Sequence, residues 1–216
     1  MNPADAGGPA PRALLIFPCN GSGLEALDCL GESFRCIGFI DDQPGRLPPQ
    51  VHGVPVLGRG ALAEHPEALV LAVPGGPESY PQRAAAIAGL GVPPQRWATV
   101  VHPRASVSPR ARLGRNLLLM AGAVVTTDAT LGSHVCVLPN SVIHHHAEVG
   151  SFTLVCANVT VAGGVHVGEG CYLGSGSSLR NGVRIGAGAL VGMGSTVVRD
   201  VPEGCVVAGT PARRLR

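Results

Sequence analysis

The chain has 216 residues and a formal net charge of +2, with 31 glycines and 19 prolines, aromatics at 3% and charged residues at 14%. An apolar share of 45% excludes disorder by composition, which needs low hydrophobicity and high charge. The mild charge, with no basic stretch interleaved with aromatics, excludes nucleic acid, and no run of 18 apolar residues predicts a membrane span. Glycine, valine, alanine and leucine in place of aromatics point to small side chains stacked in a regular array.

Residues 1–11 read as a flexible tail, without the basic start and apolar core of a signal peptide. Residues 12–100 then follow an α/β pattern. ALLIF at 13–17 is a short apolar run, ending in Pro18-Cys19-Asn20-Gly21-Ser22-Gly23. LEALDCL at 24–30 reads as a helix. Arg35 to Ile40 reads as a strand ending in Asp41-Asp42, and ALVLAV at 68–73 as another ending in Pro74-Gly75-Gly76-Pro77. Tyr80 to Leu90 reads as a second helix. Strand, loop and helix in this order predict a small parallel sheet, and ligands of such sheets bind at the carboxyl ends of the strands. The loops at 18–23, 41–42 and 74–77 are those ends, and carboxylates there suit ribose hydroxyls. A solvated turn is the plainer reading of Asp-Asp.

From residue 107 an aliphatic residue recurs every six positions, through Val107, Leu113, Leu119 and Val125 to Val191 and Val197, sixteen times without an insertion. A second column four residues on, from Ala111 to Val201, holds only small or aliphatic residues. Such a beat predicts a hexapeptide β-helix over residues 101–216. Three hexapeptides make a triangular coil, and sixteen make roughly five coils, about 25 Å of prism at strand spacing. Glycines after the first column, such as Gly114, Gly132, Gly150, Gly168, Gly174, Gly186 and Gly192, are expected to serve sharp bends with positive φ. The seven cysteines are odd in number and widely spaced, with no Cys-x-x-Cys, which predicts reduced, mostly buried thiols in a cytoplasmic protein.

Two features coincide: GFIDD and HGVPVLG in the α/β part (Gly38–Asp42, His52–Gly58), and a prism ending in GMGSTVVRDVPEGCVVAGTPARRLR. In this the chain resembles the sugar O-acyltransferase family of sialic acid O-acetyltransferases, bacillosamine-pathway N-acetyltransferases and perosamine N-acetyltransferases. The resemblance implies a Rossmann-like N-terminal domain, a left-handed parallel β-helix, a homotrimer, and acetyl-CoA as acyl donor with no metal. It implies a nucleotide-linked sugar at the small domain and acetyl-CoA along the prism between subunits. The family's histidine base lies in a stretch like S-V-I-x-H-E, here Ser141-Val142-Ile143-His144-His145-His146, so His145 takes the catalytic position. Asn20, Gly21 and Ser22 match the sugar-nucleotide loop, Asp41 and Asp42 its acidic partner, and Pro74 and Gly75 its neighbour loop. Gly174, Ser175, Gly192 and Met193 fall where the family's backbone meets acetyl-CoA. The chain departs from the family at three places. The glutamate after the base is His146, a cofactor-touching histidine is Leu154, and the glycine-rich loop lacks its first glycine and its histidine.

A neutral imidazole suits proton removal from an attacking amine near pH 7. Stacking at 18 residues puts His145 over Thr127 and under Gly163, and His146 over Asp128, so His146, Asp128 or both are expected to orient His145. The same spacing pairs Glu148 with His166 and Asn140 with Asn158 at corners. His134 and His166 are expected to be solvent-exposed. Consecutive histidines rarely converge on one ion, which argues against a metal. Arg213, Arg214 and Arg216 are either cofactor-phosphate ligands or solvated tail residues. The expected activity is N-acetylation of a nucleotide-linked 4-amino sugar. The rivals are O-acetylation of a sugar hydroxyl and a non-catalytic sugar-nucleotide scaffold.

Overall fold

The computed structural model describes residues 10–215. Most of the expected tail and Arg216 lie outside the described residues. The N-terminal part is a five-stranded sheet. Its elements are β1 (Arg12–Phe17), α1 (Gly21–Leu27), β2 (Phe34–Ile40), β3 (Gln50–Val51), β4 (Val54–Leu57), α2 (Ala61–Glu64), β5 (Leu69–Ala72) and α3 (Arg83–Ala88). The strand order is β3-β4-β2-β1-β5, parallel except for the β3–β4 hairpin. Strand β1 is central and alternates its side chains between two layers: Leu14 and Ile16 face α1 and the prism, Leu15 and Phe17 face α3. The helix expected from Tyr80 begins as a turn of 3₁₀ helix, Tyr80–Gln82, with Pro81 in the first turn, where the missing N–H costs no bond.

The rest is a left-handed parallel β-helix whose strands have two residues each until the closing pair, Val206–Gly209 and Ala212–Arg214. Val124 pairs with Val142, and Val142 with Thr160, so one coil is 18 residues. The three faces are three sheets, parallel except where Val206–Gly209 and Ala212–Arg214 close the first as an antiparallel hairpin. The first runs from Val100–Val101 through Leu118–Leu119, Cys136–Val137 and Leu154–Val155 to Ala212–Arg214, the second from Ser106–Val107 to Thr196–Val197, and the third from Arg112–Leu113 to Arg184–Ile185. Its first strand, Val100–Val101, straddles the expected domain boundary. From Leu119 to Val197 the first aliphatic column is buried, and so is the second from Leu117 on. Where the second column is polar, Ser141 and Thr153 turn their hydroxyls to backbone: Ser141 Oγ donates to Cys156 O at 2.6 Å and accepts from Val159 N at 2.9 Å, and Thr153 Oγ1 donates to Gly168 O at 3.1 Å, whereas Ser177 Oγ is left unpaired.

The glycine expectation does not hold. Positive φ falls three residues beyond the column, at Asn116, Gly122, Asp128, His134, Asn140, His146, Phe152 and Asn158, and at glycines from Gly164 to Gly194. The glycines directly after the column are there for space: a Cβ at Gly150 would stand 2.5 Å from the backbone of Gly168, one coil away. The seven cysteines are free thiols, all buried except the half-buried Cys36. Among the described residues no helix is long and apolar enough to cross a membrane.

The α/β domain seats on the first face. Leu118, Met120, Cys136 and Leu154 of the prism share one apolar cluster with Leu14, Ile16 and Leu71 of the sheet. The seam is locked at the corner between the third and first faces. There the buried Asn116 accepts from Ala72 N and donates to Ala72 O, both at 2.8 Å, and so stands in for a neighbouring strand at the end of β5. Its amide also meets His134 Nδ1 at 2.9 Å. The His134 ring stacks on Phe152 at 4.7 Å and meets Trp97 edge-on at 5.2 Å. His134 is therefore not the exposed corner residue expected. Burial and the Arg83 guanidinium push its pKa down to about 4.

Candidate functional site

The carboxyl ends of β1, β2 and β5 gather the three loops that the sequence singles out. Val73 N donates to Phe17 O at 2.7 Å, tying the ends of β5 and β1 together. Asn20 caps α1, its Oδ1 accepting from Gly23 N at 3.1 Å, while Gly21 has open space around it. Ser22 is half-buried in the first turn of that helix. Gly23 is required by the turn, since a Cβ there would collide with Pro18 O.

The acidic pair splits. Asp41 lies near Cys19, whose thiol pKa is raised by burial and then by that carboxylate. Asp41 Oδ1 accepts from Gln43 N at 2.9 Å. Asp42 turns away to Arg59, which grips it with Nε at 2.5 Å and Nη2 at 3.0 Å. That grip holds the Asp42 carboxyl below its ordinary range. Arg59 also donates to Gly89 O at 2.5 Å, so its fork is taken up within the domain. Of the two carboxylates, Asp41 keeps more of its acceptor capacity on the α1 side.

Sequence reasoning missed Arg83. It is 1% exposed and donates to Pro74 O, to His134 O at 2.9 Å and to Cys136 Sγ at 3.2 Å, with its Nε unpaired. It fixes the Pro74–Gly75 loop to the prism. Gly75, at φ 122, closes on Leu154, whose Cδ1 would stand 2.9 Å from a Cβ there. Leu154 is 6% exposed in this seam, so its side chain does not reach the surface of the chain. A lone arginine among QRAAAIA carries no signal of burial in the sequence; only the docking of the domain buries it.

The imidazoles sit elsewhere. His145 and His146 occupy the corner between the second and third faces, between the strands Val142–Ile143 and Glu148–Val149. That corner is opposite the docked first face. Within one chain, therefore, the histidines and the α/β loops are not brought together. The His145 ring lies flat over Gly163, where a Cβ would be 2.5 Å from its Cε1 and 2.7 Å from its Nε2. His145 Nδ1 and His146 Nδ1 are 3.1 Å apart with the rings nearly perpendicular. His146 Nε2 is 4.0 Å from Asp128 Oδ2, one coil below. The stacking expected from the 18-residue coil thus holds at His145, His146 and Asp128. It holds also for His166 Nδ1 and Glu148 Oε2, 2.9 Å apart on the third face. Asn140 and Asn158 both take left-handed backbone slots, at φ 61 and 57.

Gly174, Ser175, Gly192 and Met193 cluster at the third corner, between the first and second faces. Ser175 and Met193 are one coil apart, and Met193 is 79% exposed. Gly174 must be glycine because a Cβ there would meet Met193 N at 2.6 Å. Gly174, Gly176 and Gly192 donate along the coil, whereas the corner N–H groups of Ser175 and Met193 have no acceptor among the described residues. Two outward N–H donors one coil apart suit the amide carbonyls of a pantetheine arm. Among the described residues no group of three His, Cys, Asp or Glu is placed to hold a metal ion.

By fold the chain is a left-handed β-helix protein of the hexapeptide type, and the bacterial transferase hexapeptide family (six repeats) matches it at residues 146–181 and 164–199. The acetyltransferase domain of PglB from Neisseria gonorrhoeae FA1090 is 29% identical, with a TM-score of 0.81 over 94% of this chain and 100% of that one. PerB from Caulobacter crescentus, solved with CoA and GDP-perosamine, is 29% identical, with a TM-score of 0.80 over 95% of this chain and 97% of that one. WeeI from Acinetobacter baumannii AYE shares the fold at 22% identity and a TM-score of 0.66. A comparison with curated proteins gives no match. In fold and repeat the chain is similar to these acetyltransferases.

Proposed function

We propose that the protein transfers the acetyl group of acetyl-CoA to the amino group of a nucleotide-linked 4-amino sugar, with His145 as general base. The class, an acetyl-CoA-dependent sugar acetyltransferase, is that of the neighbours solved with acetyl coenzyme A and with CoA plus GDP-perosamine. The observation that carries the reading is the exposed His145 ring, anchored through Nδ1 and seated on Gly163 at a bare prism corner. Its Nε2 takes the proton as the amine attacks the thioester carbon. The C–N bond forms, the C–S bond breaks, and the proton passes on to the departing thiolate. General-base help of this kind is typically worth about 10²–10⁴-fold.

The α/β loops and His145 lie on opposite sides of one chain, so a complete site needs two copies. One supplies His145, and the other its sugar-nucleotide loops and the Ser175–Met193 corner. A trimer around the prism meets this need. Asn20, Gly21, Ser22 and Asp41 would face the nucleotide sugar, and Arg83 holds the Pro74–Gly75 loop beside them.

Thiol release from acetyl-CoA is measured against UDP-, dTDP- and GDP-linked 4-amino sugars and their 4-hydroxy counterparts. The expected result is turnover with an amine and none with a hydroxyl. Turnover of hydroxyls alone moves the reading to O-acetylation, and none with any sugar leaves the scaffold reading. Light scattering should give three times the 21.9 kDa chain mass; a monomer contradicts the shared site.

A further inference from the structure

We infer that Asp128 positions the base through the ring of His146, a carboxylate–imidazole–imidazole relay that fixes which nitrogen of His145 is free. The inference rests on the reading of His145 as base. The backbone makes the relay possible. In an extended strand consecutive side chains point to opposite faces. His146 instead sits in the left-handed region at φ 58, which folds its ring back beside that of His145. Asp128 occupies the same left-handed slot one coil below, also at φ 58. A residue other than glycine there carries a conformational cost, and the same corner holds glycine at positions 164 and 182. Among the left-handed positions of this corner, only Asp128 and His146 keep a side chain.

Hydrogen-bond logic then sets the tautomers. Two facing ring nitrogens bond only if one carries a proton and the other a lone pair. The Asp128 carboxylate only accepts, so His146 turns its Nε2–H toward it across the 4.0 Å gap. His146 Nδ1 is then the lone pair, and it accepts from His145 Nδ1–H at 3.1 Å. The lone pair of His145 is left on Nε2, the atom over Gly163. When Nε2 takes the amine proton, the positive charge on His145 is stabilised by its bond to His146. The Nδ1 proton can shift onto His146, which brings that charge beside Asp128. The proton returns along the same bond as Nε2 delivers its own to the thiolate, so the relay gains and loses nothing over a turnover. Thr127 Oγ1 donates to Asp128 Oδ2 at 3.2 Å and holds its orientation. Glu148, the nearby acid on the third face, is engaged by His166.

The test has two arms. In ¹⁵N spectra of the free protein at pH 8, His145 should be protonated on Nδ1 and bare on Nε2, and Asp128→Asn should mix the two tautomers. This arm needs no turnover, so it stands even if the acceptor sugar is wrong. In the kinetic arm Asp128→Asn, isosteric and tolerant of the left-handed slot, should lower kcat about tenfold or more with KM unchanged. His146→Glu puts a carboxylate directly against His145 Nδ1, and in that background Asp128→Asn should change kcat less than twofold. A proton on His145 Nε2, a wild-type kcat for Asp128→Asn, or the same loss in both backgrounds overturns the relay.

Discussion

Two corners of the prism use one backbone slot for opposite ends. At the corner between the third and first faces the left-handed positions hold Asn116, His134 and Phe152, and all three turn inward against the α/β domain. At the corner between the second and third faces they hold Asp128 and His146, and these stay exposed, with His146 68% open. The repeat is the same, the φ values are the same, and only the cover differs. Higher up, from Gly164 to Gly194, the slot reverts to glycine. A side chain in this slot packs against the α/β domain at one corner and, under the proposed function, handles protons at the other.

The docking corner should break first. Asn116→Ala leaves the N–H and C=O of Ala72 buried without partners and puts alanine in the left-handed region. A loss of about 3–5 kcal/mol in chemical denaturation is expected, from unsatisfied-group costs of about 1–3 kcal/mol each. A loss under about 1 kcal/mol would show that Asn116 is not the lock. His134 makes the same corner sensitive to acid. Its folded pKa of about 4 lies below the ordinary value of 6.5. Between the two, the unfolded chain binds a proton that the folded one does not. Stability from this residue is full above about pH 6.5, falls as pH drops toward about 4, and is level below that, by about 3 kcal/mol at most. Melts of His134→Asn across this range should lose that slope.

The comparison also shows what could be read from residue order. The six-residue beat sets coil, faces and stacking, and with them His145 over Thr127 and His146 over Asp128. It could not say which corner the α/β domain covers, because that contact joins residues far apart in the chain. His134 therefore read as a surface histidine, and Asn116 and Arg83 passed unremarked. The glycines after the column read as bend residues, because a Cβ clash between coils leaves the same letter in the sequence as a left-handed turn. Arg59 was invisible as the partner of Asp42 until the hairpin and α2 brought it alongside.

The chemical corner should lose rate without losing fold. Gly163→Ala drives a methyl group into the His145 ring and should cost about 10²-fold in kcat, the scale of an ångström-sized misplacement, with an unchanged melting profile. An unchanged kcat would mean that the ring position over Gly163 is not the working one. The smallest effect separates the two corners most finely. His146→Gly restores the glycine of the higher coils and should stabilise the protein by about 1 kcal/mol while slowing it. Phe152→Gly in the docked corner should instead destabilise it, because its ring packs on His134. Urea midpoints of the two variants check the opposite signs.

The most direct measurement is the rate of CoA release for His145→Ala beside the unaltered protein, with acetyl-CoA binding followed by calorimetry. The account predicts a loss of about 10²–10⁴-fold in turnover with acetyl-CoA affinity preserved. Turnover in the variant equal to that of the unaltered protein would contradict it.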